Sequence, residues 1–234
     1  DKTTKKACRQ KSKIVLSERP AAARPALFLD RDGVVIIDKH YIDDPKDVEV
    51  NLEIVKTIQC AKSRGFGVVI VTNQSGISRG LFSWEEYYRV TVKMLELVGV
   101  SGRPDAIYAN GYSNTLESDW RKPRCGMLTE ACKDLNIVIE KSVMIGDRWS
   151  DMEAGARAGV RDTVMVGVTK NGASIPSSEH IMNAASLHQV RIEDVLKKFK
   201  GITSGYNEAE NSYQGGDEGV LDIDDVKRLD MFLP

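Results

Sequence analysis

The stretch Leu27-Phe28-Leu29-Asp30-Arg31-Asp32-Gly33 decides how this 234-residue chain folds. Three large apolar residues in succession suit a strand buried on both faces, and Gly33 permits a tight turn immediately after it. Outward from this stretch, short apolar runs recur at residues 26–29, 67–71, 106–108, 142–145 and 163–166, each separated from the next by a helix-length segment. Residues 48–64 place Val48, Leu52, Val55, Ile58 and Cys60 near one helical face and stop at Gly65, a C-terminal cap signal. Ser83 followed by Glu86 has the capping-box spacing and opens a helix that continues to Val98. Further helices are predicted at 126–135, 150–158 and 188–199. Strands alternating with helices predict an α/β fold, a Rossmann-like parallel sheet flanked by helices on both faces.

The chemistry is sought where such sheets bind ligands, outside the carboxyl ends of the strands. The first strand ends in Asp30 and Asp32, two carboxylates two residues apart. The second ends Val71-Thr72-Asn73-Gln74-Ser75-Gly76, offering a hydroxyl, an amide and a run of backbone N–H groups. The fourth ends Gly146-Asp147 and leads to Asp151 on the next helix, while Arg121-Lys122-Pro123 places two cations in a loop between them. Each motif alone has an ordinary explanation: an acidic turn, an Asn/Ser turn, a helix N-cap, an exposed basic loop. All four at the ends of consecutive strands do not. Clustered carboxylates need a counter-charge, and an oxygen-only set suits Mg²⁺. An aspartate nucleophile, a metal, a hydroxyl and a lysine together suit phosphoryl transfer through an aspartyl phosphate.

Composition bounds the alternatives. Thirty-three basic residues stand against 34 acidic ones, a net charge of −1, which excludes a uniformly basic nucleic-acid coat. Charge concentrates at the ends. Residues 1–24 hold eight basic and two acidic side chains, and residues 206–234 hold two basic and eight acidic ones. Residues 1–25 therefore read as a basic flexible arm, 26–200 as the phosphatase domain, and 201–234 as a Gly/Ser/Asn-rich linker with an acidic tail. The chain opens at Asp1 rather than at methionine, as a fragment or a processed product does. No run reaches the ~18 apolar residues of a membrane helix. Four cysteines without CxxC spacing predict reduced thiols and a cytoplasmic location. Three histidines, none in a nucleophile motif, and the lack of Cys-x5-Arg, GxxxxGK and GxGxxG patterns leave other chemistries without a carrier.

The strings at 28–34, 71–80 and 121–127, and Ile145-Gly146-Asp147-Arg148 with Asp151, resemble the haloacid dehalogenase-like phosphatases over about residues 26–198. Within that family they look like the histidinol-phosphatase and heptose-bisphosphate phosphatase subgroup. The resemblance implies Asp30 as nucleophile and Asp32 as the general acid and base. It implies a Mg²⁺ site made by Asp30, the Asp32 backbone carbonyl and Asp147, oriented by Asp151. Thr72 and Lys122 would hold the phosphoryl oxygens. Asn73, Arg121, Arg148 and the segment Asp38-Lys39-His40-Tyr41 match substrate-contacting positions. Residues 110–120 lack the cysteines and histidine of the subgroup's zinc loop, so no zinc is predicted. Asp30 to Thr72 spans 42 residues and Thr72 to Lys122 spans 50, which leaves no room for a cap domain.

The expected substrate is a small phosphorylated metabolite, a sugar (bis)phosphate or histidinol phosphate. A competing reading is a polynucleotide 3′-phosphatase, since such enzymes resemble the strings at 72–80 and 121–127 and a basic arm supplies phosphate contacts. Against it, no base-stacking aromatic cluster is apparent.

Overall fold

In the computed structural model, which describes residues 10–113 and 118–166 and the backbone of 181–184, seven strands form one sheet. In chain order the elements are β1 (Lys11–Val15), β2 (Ala26–Leu29), a 3-10 turn (Pro45–Asp47), α1 (Leu52–Ser63), β3 (Gly67–Asn73), the short α2 (Ser75–Ser78), α3 (Trp84–Gly102) and β4 (Ala106–Asn110). They continue with α4 (Gly126–Leu135), a second 3-10 turn (Ile139–Lys141), β5 (Val143–Gly146), α5 (Trp149–Ala158), β6 (Asp162–Val166) and β7 (Ile181–Ala184). The strand order is β1-β4-β3-β2-β5-β6-β7, parallel throughout except that β1 runs antiparallel to β4. The predicted Rossmann-like sheet is thus present. The predicted helix at 188–199, residues 1–9 of the arm and the linker and tail of 201–234 lie outside the described residues.

Two-residue alternation along the strands feeds a core on each face. Leu27, Leu29, Ile70, Ile107 and Ile145 pack with Ile54 and Ile58 of α1 and Val90 and Met94 of α3. On the other face Phe28, Val71, Tyr108 and Met144 pack with Met127, Leu128 and Ala131 of α4 and Ala154 of α5. Helix α1 starts later than predicted because Asn51 caps it, its Oδ1 accepting from the Glu53 N–H at 3.1 Å. Its buried face is Ile54, Thr57, Ile58 and Ala61, and Leu52, predicted to face inward, is 70% exposed. The capping box of α3 forms as predicted: the Glu86 N–H donates to Ser83 Oγ at 3.2 Å, and the Ser83 N–H donates to Glu86 Oε2 at 2.6 Å.

The domain boundary at residue 26 needs correction. Residues 11–15, assigned to a flexible arm, form edge strand β1. Ser12 and Ile14 turn inward, while Lys13 reaches Asp134 at 3.0 Å and Glu130 at 3.3 Å on α4. Lys11 pairs with Asp119 at 2.6 Å and lies over the Trp120 ring. Lysines are common on edge strands, where they discourage pairing with another chain, so a real strand carried the composition of a tail. Ile14→Ala should therefore lower stability by about 2 to 5 kcal/mol in urea unfolding. An unchanged midpoint would return this segment to the arm.

The topology places the site. From β2 the chain winds through β3 to β4 in one direction, and β5 lies on the other side of β2. The direction changes between β2 and β5, so a crevice opens there at the carboxyl ends of the strands. Leu29 is level with Ile70 and Ile145, which brings Asp30, Thr72 and Asp147 to one edge. No helix among the described residues is long and apolar enough to cross a membrane.

Candidate active site

Asp30 continues β2, its N–H donating to the Ile145 carbonyl at 3.0 Å, and the residue is only 7% exposed. Lys122, 2% exposed, reaches across to it. Its Nζ lies 2.8 Å from Asp30 Oδ1 and 2.6 Å from Asp151 Oδ1, and it donates to the Val71 carbonyl at 2.8 Å. Burial disfavours the ammonium, but Asp151 and Asp30 outweigh that and raise its pKa, so Lys122 stays charged. Asn73 sets the lysine backbone: its Oδ1 accepts from the Lys122 N–H at 3.1 Å and its Nδ2 donates to the Lys122 carbonyl at 3.0 Å. Asn73, predicted as a substrate contact, lines the cavity and also positions Lys122.

Asp147 follows β5, and Asp151 sits in the first turn of α5 with Oδ2 accepting from the Arg148 N–H at 3.0 Å. Oxygens of Asp30, Asp147 and Asp151 lie within 4.8 Å of one another. Burial pushes the Asp30 carboxyl up to about 7, with Lys122 partly offsetting it and Asp151 and Asp147 adding to it. Burial, then Asp151, pushes Asp147 up to about 6. With all three acids ionised, the one buried lysine leaves two negative charges uncompensated, and the Arg148 side chain, 3.8 Å from Asp147, is largely in solvent. Asp147 Oδ1 is buried without a hydrogen-bond partner among the described residues. Gly33, at φ +84°, leaves Asp147 its space, since a Cβ there would lie 2.5 Å from Asp147 Oδ2. An oxygen-only, over-charged cluster with an unmet acceptor fits a hard divalent cation such as Mg²⁺. Asp151, predicted to orient the ligands, has an oxygen inside the cluster, but its contacts with Lys122 and the Arg148 N–H already engage both oxygens.

The Asp32 carboxylate is outside that cluster. Arg31 Nη2 donates to Asp32 Oδ1 at 3.0 Å and Gln74 Nε2 donates to Asp32 Oδ2 at 2.7 Å. Burial works against the Asp32 carboxylate, yet the Arg31 charge and the hydrogen bonds from Arg31 and Gln74 outweigh it and hold its pKa below the ordinary value. Thr72, 1% exposed, accepts from Gln74 Nε2 at 2.8 Å.

A cavity of about 990 Å³ opens over these groups, and its wall includes Asp30, Asp32, Asn73 and Lys122. Thr72, Asp147 and Asp151 are not on the wall; they meet it through Gln74, Asp30 and Lys122, which they contact or adjoin. The outer wall carries Asp38, Tyr41, Arg121 and Arg148. Arg148 Nη2 donates to Asp38 Oδ2 at 3.2 Å, and Asp38 Oδ1 accepts from the His40 N–H at 2.9 Å, so Asp38 braces the wall. His40 and Tyr41 both hold positive φ, 58° and 56°, conformations that side chains other than glycine seldom adopt. The Tyr41 hydroxyl accepts from Arg79 Nη1 at 2.7 Å. Three participants escaped the sequence reading: Arg31, Gln74 and Arg79. Each lies inside a quoted motif string, and the two carboxylates flanking Arg31 were the one signal that pointed to it.

Residues 119–188 match the family described as HAD-hydrolase-like. The chain is 34% identical over 189 residues to the D-glycero-beta-D-manno-heptose-1,7-bisphosphate 7-phosphatase of Pasteurella multocida, spanning 77% of this chain and 100% of that one. It is 40% identical over 144 residues to the enzyme of that name from Mesorhizobium japonicum, 58% of this chain and 66% of the relative. Among solved structures, the D,D-heptose 1,7-bisphosphate phosphatase of B. bronchiseptica, complexed with magnesium and phosphate, matches with a TM-score of 0.66 and 26% identity, over 74% of this chain and 99% of that one. A HAD-like phosphatase from Mesorhizobium loti matches with a TM-score of 0.68 and 32% identity, over 80% and 92%. With its sheet, its strand-end acids and a 34% identical relative matched along its whole length, the chain belongs to the haloacid dehalogenase-like hydrolases and is a phosphatase.

Proposed function

We propose that this phosphatase hydrolyses a sugar bisphosphate through an aspartyl-phosphate intermediate, with Mg²⁺ as cofactor. The cation, held by Asp30, Asp147 and the Asp32 carbonyl, would neutralise the acids and the incoming phosphate. Asp32, held ionised in the free protein by Arg31 and Gln74, takes up the proton of a monoprotonated phosphate ester as the substrate binds. The Asp30 carboxylate then attacks phosphorus and forms an acyl phosphate, and the departing alkoxide takes that proton from Asp32. Water then attacks phosphorus and gives a proton to Asp32, releasing inorganic phosphate and restoring Asp30. Lys122 and the Thr72 hydroxyl hold the phosphoryl oxygens, and Asp151 keeps Lys122 oriented.

The observation that carries the bisphosphate reading is the cationic outer wall. Burial, then repulsion from Arg79 and Arg148, pushes the Arg121 pKa below its ordinary value. Arg121 donates to the Tyr112 carbonyl at 3.1 Å and has no carboxylate partner among the described residues. Arg121 and Arg148 both line the cavity, and neighbouring guanidiniums there suit a second, non-reacting phosphate. The relatives named for heptose 1,7-bisphosphate point the same way. The nucleic-acid alternative loses support because Lys11 and Lys13 of the supposed arm are tied into the fold.

The test is a panel of a heptose or hexose bisphosphate, the matching monophosphate, histidinol phosphate and a 3′-phosphorylated oligonucleotide. The bisphosphate should give the highest kcat/KM. In Arg121→Met its KM should rise about 10- to 100-fold, as expected for one lost charge-assisted hydrogen bond, with a smaller change for the monophosphate. Preference for the oligonucleotide would replace this reading.

A further inference from the structure

Arg31 is a guanidinium sealed inside the protein, its side chain 2% exposed and its Cζ 5.0 Å from the centre of the Tyr87 ring. Besides Asp32 it donates to Gln74 Oε1, from Nη2 at 3.2 Å. A guanidinium only donates, so the Gln74 atom facing it is the carbonyl oxygen. The amide nitrogen must then face the opposite way, and it has one hydrogen for Asp32 Oδ2 at 2.7 Å and one for Thr72 Oγ1 at 2.8 Å. Because Thr72 accepts this bond, its own hydroxyl proton remains to be donated to another acceptor.

We infer that Gln74 is a positioning residue, locked in one amide orientation by Arg31, that fixes the proton-transfer carboxylate Asp32 and the hydroxyl of Thr72, assigned above to the phosphoryl oxygens, relative to each other. The inference rests on the role given to Asp32 above. Gln74 is 4% exposed, and its side-chain hydrogens go to groups of the site rather than to the backbone of the fold. Arg31 Nη1 is buried without a partner among the described residues, a cost that a merely space-filling side chain would avoid. Small misplacements of a reacting group are expensive in rate, so such a brace affects the rate through Asp32 and Thr72.

The test compares Gln74→Met, Gln74→Glu and Asp32→Asn in single-turnover phosphoryl transfer from an alkyl phosphate and from p-nitrophenyl phosphate, with circular dichroism checking the fold. An alkoxide needs a proton on leaving and a nitrophenolate does not, so loss of Asp32 function lowers the alkyl-to-aryl rate ratio. Both Gln74 variants should lower that ratio about tenfold or more, part of the ~10² to 10⁴ that general acid–base help supplies. Gln74→Glu is the sharper variant: it fills the same volume and keeps an acceptor for Arg31, so it rescues a structural role but not a positioning one. It also gives the answer if Gln74→Met fails to fold. An unchanged ratio in Gln74→Glu, beside a lowered ratio in Asp32→Asn, would overturn the inference. An unchanged ratio in Asp32→Asn would instead remove the role of Asp32 and the inference with it.

Discussion

Asp30→Asn should abolish turnover while leaving the protein at least as stable as before. The loss in kcat should be on the order of 10⁴ or more, the scale on which removal of a covalent nucleophile acts. The stability half follows from the surroundings of Asp30. Burial pushes its carboxyl up to about 7, so the ionised form is disfavoured in the folded chain. The amide has nearly the shape of the neutral acid and carries no charge to desolvate. Lys122 retains Asp151 and the Val71 carbonyl, so it is not orphaned. In chelator near pH 8, Asp30→Asn should therefore melt at or above the wild-type temperature. A large drop in Tm would mean that Asp30 is a structural group, and residual activity above a trace, with deamidation excluded, would take away its role as nucleophile.

Withdrawing the metal should have the second large effect, on both activity and stability. With excess chelator turnover should vanish, returning with Mg²⁺ and not with Zn²⁺. The stability effect has a definite sign. Asp30 and Asp147 have folded-state values of about 7 and about 6, above their ordinary 3.8. Groups raised in this way stabilise the fold fully below the unfolded value and lose that contribution as pH rises through the folded one. The metal-free protein should therefore weaken between about pH 4 and 7 from this source. Mg²⁺ should reverse the loss at neutral pH, by about 2.7 kcal/mol when present at 100 times its dissociation constant. Thermal melts across pH, with chelator and with Mg²⁺, measure this directly. Identical curves would remove the cation from the Asp30, Asp147 and Asp151 cluster.

The central strands and the helices over them were legible because their side chains are buried on both faces and their caps are local: Ser83 with Glu86, and Gly65 after α1. Strand β1 was not, since it pairs with the distant β4, the ion-pair partners of its lysines, Asp119, Glu130 and Asp134, are more than a hundred residues away, and its own composition is that of an exposed tail. The inner face of α1 was misread because Asn51, set between Val50 and Leu52 in a run that reads as continuous helix, resets where the helix begins. In the site, Asp30, Asp32 and Asp147 were readable from their position after strands, and Lys122 from a basic loop between the motifs. The parts played by Arg31, Gln74 and Arg79 were not, because each depends on which atom of a neighbour it faces, and residue type does not encode that. Asn73 shows a further part that residue type did not reveal: its amide positions the backbone of Lys122.

The central claim is that Asp30 carries the phosphoryl group between the two halves of the reaction. An acid quench within a single turnover, followed by borohydride reduction and peptide mapping by mass spectrometry, tests it most directly, because borohydride converts an aspartyl phosphate to homoserine and leaves a free aspartate alone. Homoserine is expected at position 30, formed only with substrate and Mg²⁺ present and absent from Asp30→Asn. Conversion at Asp32 or Asp147 instead, or none at any position while a burst of product is released, would contradict it.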